Sequence, residues 1–243
     1  MIATTSSLAE QRTLLENISW STFETLLKEI GDKRGYRIAY DEGRLEIMAP
    51  LFEHENYKSN FGNFILALAE ELDIEIKSAG STTLKLKNAK KGIEPDNCYY
   101  IQNEAAVRGR QELDLETFPP PELAIEIDIT SSSVDKFAIY SALRVPELWL
   151  YNGRVLKFYQ LVETEYIERD FSIAFPFVSA EMAGFFSRTQ TIGEIALLKS
   201  FRTWVKGKIY SNFQVYGVRL QGFVNHFGKC LGLRCTLFAW NLL

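Results

Sequence analysis

Two acids sit inside an otherwise apolar run, Leu123-Ala124-Ile125-Glu126-Ile127-Asp128-Ile129, and the chemistry of the chain is organised around them. In a strand, side chains alternate with period two, so Glu126 and Asp128 share one face of a segment apolar enough to be buried. A buried carboxylate is costly without a partner, and either a divalent cation or a lysine would serve. Asp96 supplies a third carboxylate, at the start of the strand-like run Asn97 to Ile101 and entered through Pro95, which rigidifies the approach. Lys136, beyond the turn Thr130-Ser131-Ser132-Ser133, brings an ammonium back towards the acids. Two or three acids and a lysine at strand ends are, in outline, an arrangement for metal-dependent phosphodiester cleavage. Each acid also has a plainer reading as a member of a structural ion pair.

The elements that must position these groups are legible from pattern. Ser21-Thr22-Phe23-Glu24 reads as a capping box opening a helix that Gly31 stops. Tyr36 to Tyr40 and Arg44 to Met48 alternate around Asp41-Glu42-Gly43 as a β-hairpin, with Glu46 on its second strand. Tyr57, Phe61, Phe64, Ile65, Leu68 and Leu72 form one stripe of a helix from about residue 54 to residue 72. His54 and Glu55 open it, where a carboxylate is favoured by the exposed amides. A capping role for Glu55 and a surface position for His54 are the alternatives to roles in the site.

Strands are expected at residues 74–77 and 82–87, a loop over residues 88–92, and a short helix between residues 103 and 115. The Ser131 to Ser133 run offers N-cap hydroxyls for a helix over residues 134–143, whose start is also a plausible phosphate site. Residues 147–151 and 155–161 flank Asn152-Gly153 as a hairpin, residues 164–169 add an edge strand, and helices follow near 179–186 and 192–205.

Charge divides the chain. The net charge is −4, yet Glu194 is the last acidic residue, and seven lysines and arginines follow it; residues 1–194 therefore carry 20 basic against 31 acidic side chains, a balance of −11. Affinity for a polyanion rests largely on cationic contacts, so gripping nucleic acid requires a local patch. Lys85, Lys87, Lys90, Lys91, Arg108 and Arg110 are candidates, with a solvated edge strand guarded by lysines as the alternative. Cys98, Cys230 and Cys235 form neither a disulfide framework nor, with His226, a recognisable zinc motif, which points to a reducing cytoplasmic compartment. Residues 1–19 read as a flexible arm without a secretory signal, residues 20–206 as one domain, and residues 207–243 as a basic, aromatic-rich appendage too short in its apolar part to span a membrane.

Pro95-Asp96 followed by Glu126-Ile127-Asp128 resembles the signature of the PD-(D/E)XK nuclease superfamily. The chain is more specifically similar to the Uma-type restriction endonuclease family through Gly43 to Pro50 with His54-Glu55, Gly80-Ser81-Thr82-Thr83, Gly92 to Asp96, Pro120 to Glu126, and Val145-Pro146-Glu147-Leu148-Trp149. That resemblance runs from about Trp20 to Val205. It implies an α/β restriction-endonuclease-like core, a mixed β-sheet flanked by helices, acting on DNA with Mg²⁺ or Mn²⁺. It also implies that Asp96, Glu126 and the Ile127 carbonyl hold the metal, with Glu55 or Glu46 completing the shell. Asp128 stands where the superfamily usually has lysine, so that role passes to Lys136 or is lost. A fold that has lost catalysis and binds nucleic acid or protein is the second reading, and a regulatory domain without nucleic acid the third. A homodimer is compatible with all three.

Overall fold

The computed structural model describes residues 10–31, 35–129 and 132–215. The expected appendage, with Cys230, Cys235 and His226, lies almost wholly outside them. Two sheets organise the described residues. The first is antiparallel, ordered β1-β3-β2-β6-β5 from β1 (Gln11–Leu15), β2 (Arg37–Asp41), β3 (Arg44–Ala49), β5 (Leu84–Leu86) and β6 (Lys91–Ile93). The second is mixed, ordered β11-β10-β9-β8-β7-β4 from β4 (Lys77–Ser78), β7 (Asn97–Tyr100), β8 (Leu123–Ile127), β9 (Glu147–Tyr151), β10 (Leu156–Val162) and β11 (Glu165–Arg169). Only β8 and β9 pair in parallel, joined by a crossover through helix α4 (Lys136–Ala142). This is the expected mixed α/β architecture.

The β2–β3 hairpin closes as its sequence requires, with Glu42 and Gly43 both at positive φ, the backbone that matches the twist of paired strands. Lys91 and Gly92, expected in a loop, instead pair with both β2 and β5. Gly92 is fixed by packing, since a Cβ there would stand 2.9 Å from the buried Phe23 ring. Helix α1 (Trp20–Ile30) starts earlier than the expected capping box: Ser19 is its N-cap, its hydroxyl accepting from the Thr22 amide at 3.1 Å. The earlier start brings Trp20 against Phe23 and Tyr40, and Glu24 turns away to pair with Lys85 at 3.0 Å.

Helix α2 (Phe52–Glu71) lays Tyr57, Phe61, Phe64, Ile65 and Leu68 against Leu123, Ile125, Ile127 and Trp149 of the mixed sheet. A short helix α3 (Glu104–Val107) follows β7. The second late helix is longer than its apolar pattern indicated: α5 (Gly184–Arg188) is followed by α6 (Glu194–Val215), which passes the expected boundary at residue 206 unbroken. Lys208, just beyond that point, pairs with Glu181 at 2.6 Å and lies over the Trp204 ring. Nor is the start of the chain a free arm from residue 10 onward, because β1 pairs with β3 along its whole length. Among the described residues no helix is long and apolar enough to cross a membrane.

Candidate active site

Glu94-Pro95-Asp96 carries the chain from β6 in one sheet to β7 in the other, which places Asp96 at the junction. Glu94 ties the junction down, accepting from the Ile38 amide at 3.1 Å and the Thr83 hydroxyl at 2.8 Å. Antiparallel pairing of β7 with β8 then sets Asp96 opposite the end of β8, where the Ile127 amide donates to Asp96 Oδ2 at 2.7 Å.

Strand alternation decides where Glu126 points. Its neighbours Ile125 and Ile127 face α2, whereas Ala124 packs with α4, so Glu126 faces α4. There it meets two residues one helical turn apart. Lys136 Nζ lies 2.6 Å from Glu126 Oε2, and the Tyr140 hydroxyl donates to Glu126 Oε1. Lys136 and Tyr140 stand at i and i+4 and so share a helix face. Sequence reasoning found Lys136 and not Tyr140, whose i+4 spacing from Lys136 carried the missing signal. The cap of α4 is Asp135, whose side chain accepts from the Ala138 amide, and not the serine run.

Asp96, Glu126 and Lys136 therefore converge, 1%, 2% and 9% exposed, in a cleft lined also by Arg12, Arg37 and Glu46. His54 is fully buried rather than on the surface, with Nε2 3.1 Å from Asp96 Oδ2. The other expected acids are engaged elsewhere. Glu46 accepts from Arg12 at 2.8 Å, from the Ser132 hydroxyl at 2.9 Å and from the Ser133 amide, pinning the segment that leads into α4. Asp128 lies one residue beyond β8 and pairs with Arg12 at 3.0 Å. Glu55 is half-exposed and accepts from Arg37 at 3.2 Å. Glu46 lines the cleft paired with Arg12, and Glu55 lies at its Arg37 side. Two further buried acids, Glu122 and Glu147, are satisfied by peptide amides and serve the fold.

The protonation states follow from these contacts. Burial alone would raise the Asp96 pKa, but the close approach and charge of His54, with Lys136 and the Ile127 amide, hold it below the usual carboxylate range. His54 is correspondingly raised: burial disfavours its charge, and Asp96, Glu10 and Glu55 outweigh burial. For Glu126 burial prevails over the pull of Lys136 and its pKa is raised. Lys136 is also raised, against its own burial, by Glu126, Asp128 and Asp96, and so remains an ammonium.

The donor set fits a hard divalent cation. Asp96 Oδ2 accepts from the Ile127 amide, in the peptide that follows Glu126, while Oδ1 faces Arg37 Nε at 3.8 Å. Oxygen donors suit Mg²⁺ or Mn²⁺, and Mg²⁺ commonly takes one or two carboxylates and completes its shell with water and phosphate. Among the described residues no three His, Cys, Asp or Glu side chains converge as a closed metal cage.

Residues 20–183 match the Uma2 family, described as "Putative restriction endonuclease", and since that match spans more than half of the chain, the chain belongs to this family. Among solved structures, the chain is similar to one described as "a putative nuclease belonging to DUF820" from Anabaena variabilis ATCC 29413, at 14% identity and a TM-score of 0.46, over 70% of this chain and 98% of that one. No curated protein matches the chain.

Proposed function

We infer that the chain is a divalent-metal-dependent endonuclease that hydrolyses phosphodiester bonds of DNA. The observation that carries this is the convergence of Asp96, Glu126 and Lys136 in one cleft, with Lys136 2.6 Å from Glu126. Asp96, Glu126 and the Ile127 carbonyl would hold Mg²⁺ or Mn²⁺, which supplies a polarised phosphate and a water acidified enough to attack at neutral pH. Asp96 is held ionised and ready to bind by His54 and the Ile127 amide. Lys136 is kept protonated by the surrounding acids, so it cannot act as the base; its ammonium stabilises negative charge that develops on the phosphate oxygens. Tyr140 fixes the rotamer of Glu126 from the same helix face. Lys136 thereby occupies the role of the lysine that Asp128 displaces.

A second reading, a nuclease fold that has lost catalysis, draws on the fact that both Glu126 oxygens accept hydrogen bonds from α4. Plasmid nicking decides between them. Wild-type chain with Mg²⁺ or Mn²⁺ should convert supercoiled to open-circular DNA, and EDTA or Asp96→Ala should abolish this. Nicking by Asp96→Ala at the wild-type rate would refute the assignment, and inert wild-type protein under both metals would favour the second reading.

A further inference from the structure

The acidic body leaves open how a polyanion is held at all, and two cations outside the acid–lysine cluster bear on this. Arg37 projects from β2 and Lys58 from α2; the two meet at Glu55, and Arg37 also faces Asp96. Arg37 Nε lies 3.8 Å from Asp96 Oδ1, is buried, and has no hydrogen-bond partner. Lys58 is anchored next to the same strand, because its carbonyl accepts from the Asn97 side chain at 2.9 Å. Its ammonium approaches Glu55 Oε2 only to 3.9 Å, beyond hydrogen-bonding distance. Arg37 also uses Glu55, through Nη2 at 3.2 Å. Two cations thus share one half-exposed carboxylate, with side chains only 12% and 20% exposed.

We propose that Arg37 and Lys58 are substrate-binding residues that clamp a DNA phosphate beside Asp96, on the opposite side of that carboxylate from the Ile127 peptide. The inference rests on the endonuclease reading and adds to it where the strand is gripped. An unpaired guanidinium N–H and a loosely held ammonium offer a planar fork and a mobile point charge, the two donor types that suit phosphate oxygens. Like-charge repulsion supports it: burial first, and then Arg37, hold the Lys58 pKa below its ordinary value, and an anion bound between the two would relieve the repulsion. A phosphate here would lie within reach of the Asp96 end of the cleft, so the clamp sets the register of the backbone and not its sequence.

The test is fluorescence anisotropy of the full chain with a short labelled duplex in EDTA, titrated between about 50 and 200 mM salt. Lys58→Gln and Arg37→Gln should each weaken binding several-fold and reduce the slope of log affinity against log salt by about 1, as expected for loss of one phosphate contact. Lys199→Gln, at an exposed position of α6, should change neither. A residue that served only the fold would shift the melting temperature and leave the salt slope intact. Should Arg37→Gln fail to fold, Lys58→Gln carries the test alone. Wild-type protein that binds and nicks DNA while Lys58→Gln keeps both affinity and slope would overturn the clamp but not the endonuclease. Wild-type protein that binds no duplex would overturn both.

Discussion

Replacing Lys136 by Met keeps the side-chain volume and removes the charge from a buried pair whose other half, Glu126, is 2% exposed. A group that acts only on transition-state charge would give a catalytic defect with little change in stability. The structure reverses the second half of that expectation. Breaking a buried pair from one side costs about 3–5 kcal/mol. Here the cost has a ceiling, because Glu126 can take up a proton: with an ordinary pKa of 4.5, holding it neutral at pH 7 costs about 3 kcal/mol at 1.36 kcal/mol per unit. For a domain of this size that is a fall of about 6–12 °C in melting temperature.

The pH dependence of Lys136→Met follows from the same pair. Loss of Lys136 pushes the already raised folded-state pKa of Glu126 further above its unfolded value. The stability supplied by its protonation is then full below about pH 4.5 and is lost as the pH rises through the folded-state pKa. Lys136→Met should therefore melt closest to wild type in acid and furthest from it at neutral pH. Lys136→Met combined with Glu126→Gln should recover most of the loss. Differential scanning calorimetry from pH 4.5 to pH 8 reads this directly, and a wild-type melting temperature at pH 7 for Lys136→Met would refute the buried pair. Nicking by Lys136→Met should fall by a factor of about 10² or more, as for loss of a group that stabilises transition-state charge.

Three further outcomes are expected. Arg12→Ala should lower stability by about 2–4 kcal/mol in chemical denaturation, because it strips the buried Glu46 of its cation; an unchanged denaturation midpoint would show that residues 10–15 are dispensable. Gly92→Ala should cost about 1–3 kcal/mol by driving a methyl into the Phe23 ring, with Phe23→Leu in the same chain recovering part of it, and a neutral Gly92→Ala would contradict the packing. His54 has a raised folded-state pKa, so its contribution is present below about pH 6.5 and lost as the pH rises through the folded value. In EDTA the wild type should accordingly lose stability above that pH and His54→Gln should lack this decline, whereas parallel profiles would rule out a charged His54–Asp96 pair.

The parts of this architecture that were legible in the sequence are those written in local periodicity. The β2–β3 hairpin, the apolar stripe of α2 and the acid-bearing strand β8 each announce themselves within one short local segment, and Asp96, Glu126 and Lys136 were nominated by residue type before any geometry. What was hidden depends on contacts across distant segments. Nothing near Arg12 indicates that it reaches Glu46 and Asp128, 34 and 116 residues away. The same holds for Arg37, whose partners come from the start of α2 and the junction between the sheets. His54 looked like an ordinary residue of a first helical turn because its burial is imposed by the packing of α2 over that junction. The serine run was misread as a helix cap because its hydroxyl and amide hold Glu46 on another strand instead.

The claim on which the functional reading rests is that Asp96 and Glu126 share one divalent cation, and Mn²⁺ titration followed by electron paramagnetic resonance measures it without requiring turnover. Wild-type chain should bind one Mn²⁺ tightly enough to deplete the free-ion signal, with Mg²⁺ competing. Asp96→Ala and Glu126→Gln should each weaken that binding at least about tenfold, since loss even of outer partners of a metal costs 10–100-fold. Glu55→Gln and Glu46→Gln should leave it near the wild-type value, because both carboxylates are committed to arginines. Equal Mn²⁺ affinity in wild type, Asp96→Ala and Glu126→Gln would contradict the shared site and, with it, the assignment of this cleft as the place where the phosphodiester is cut.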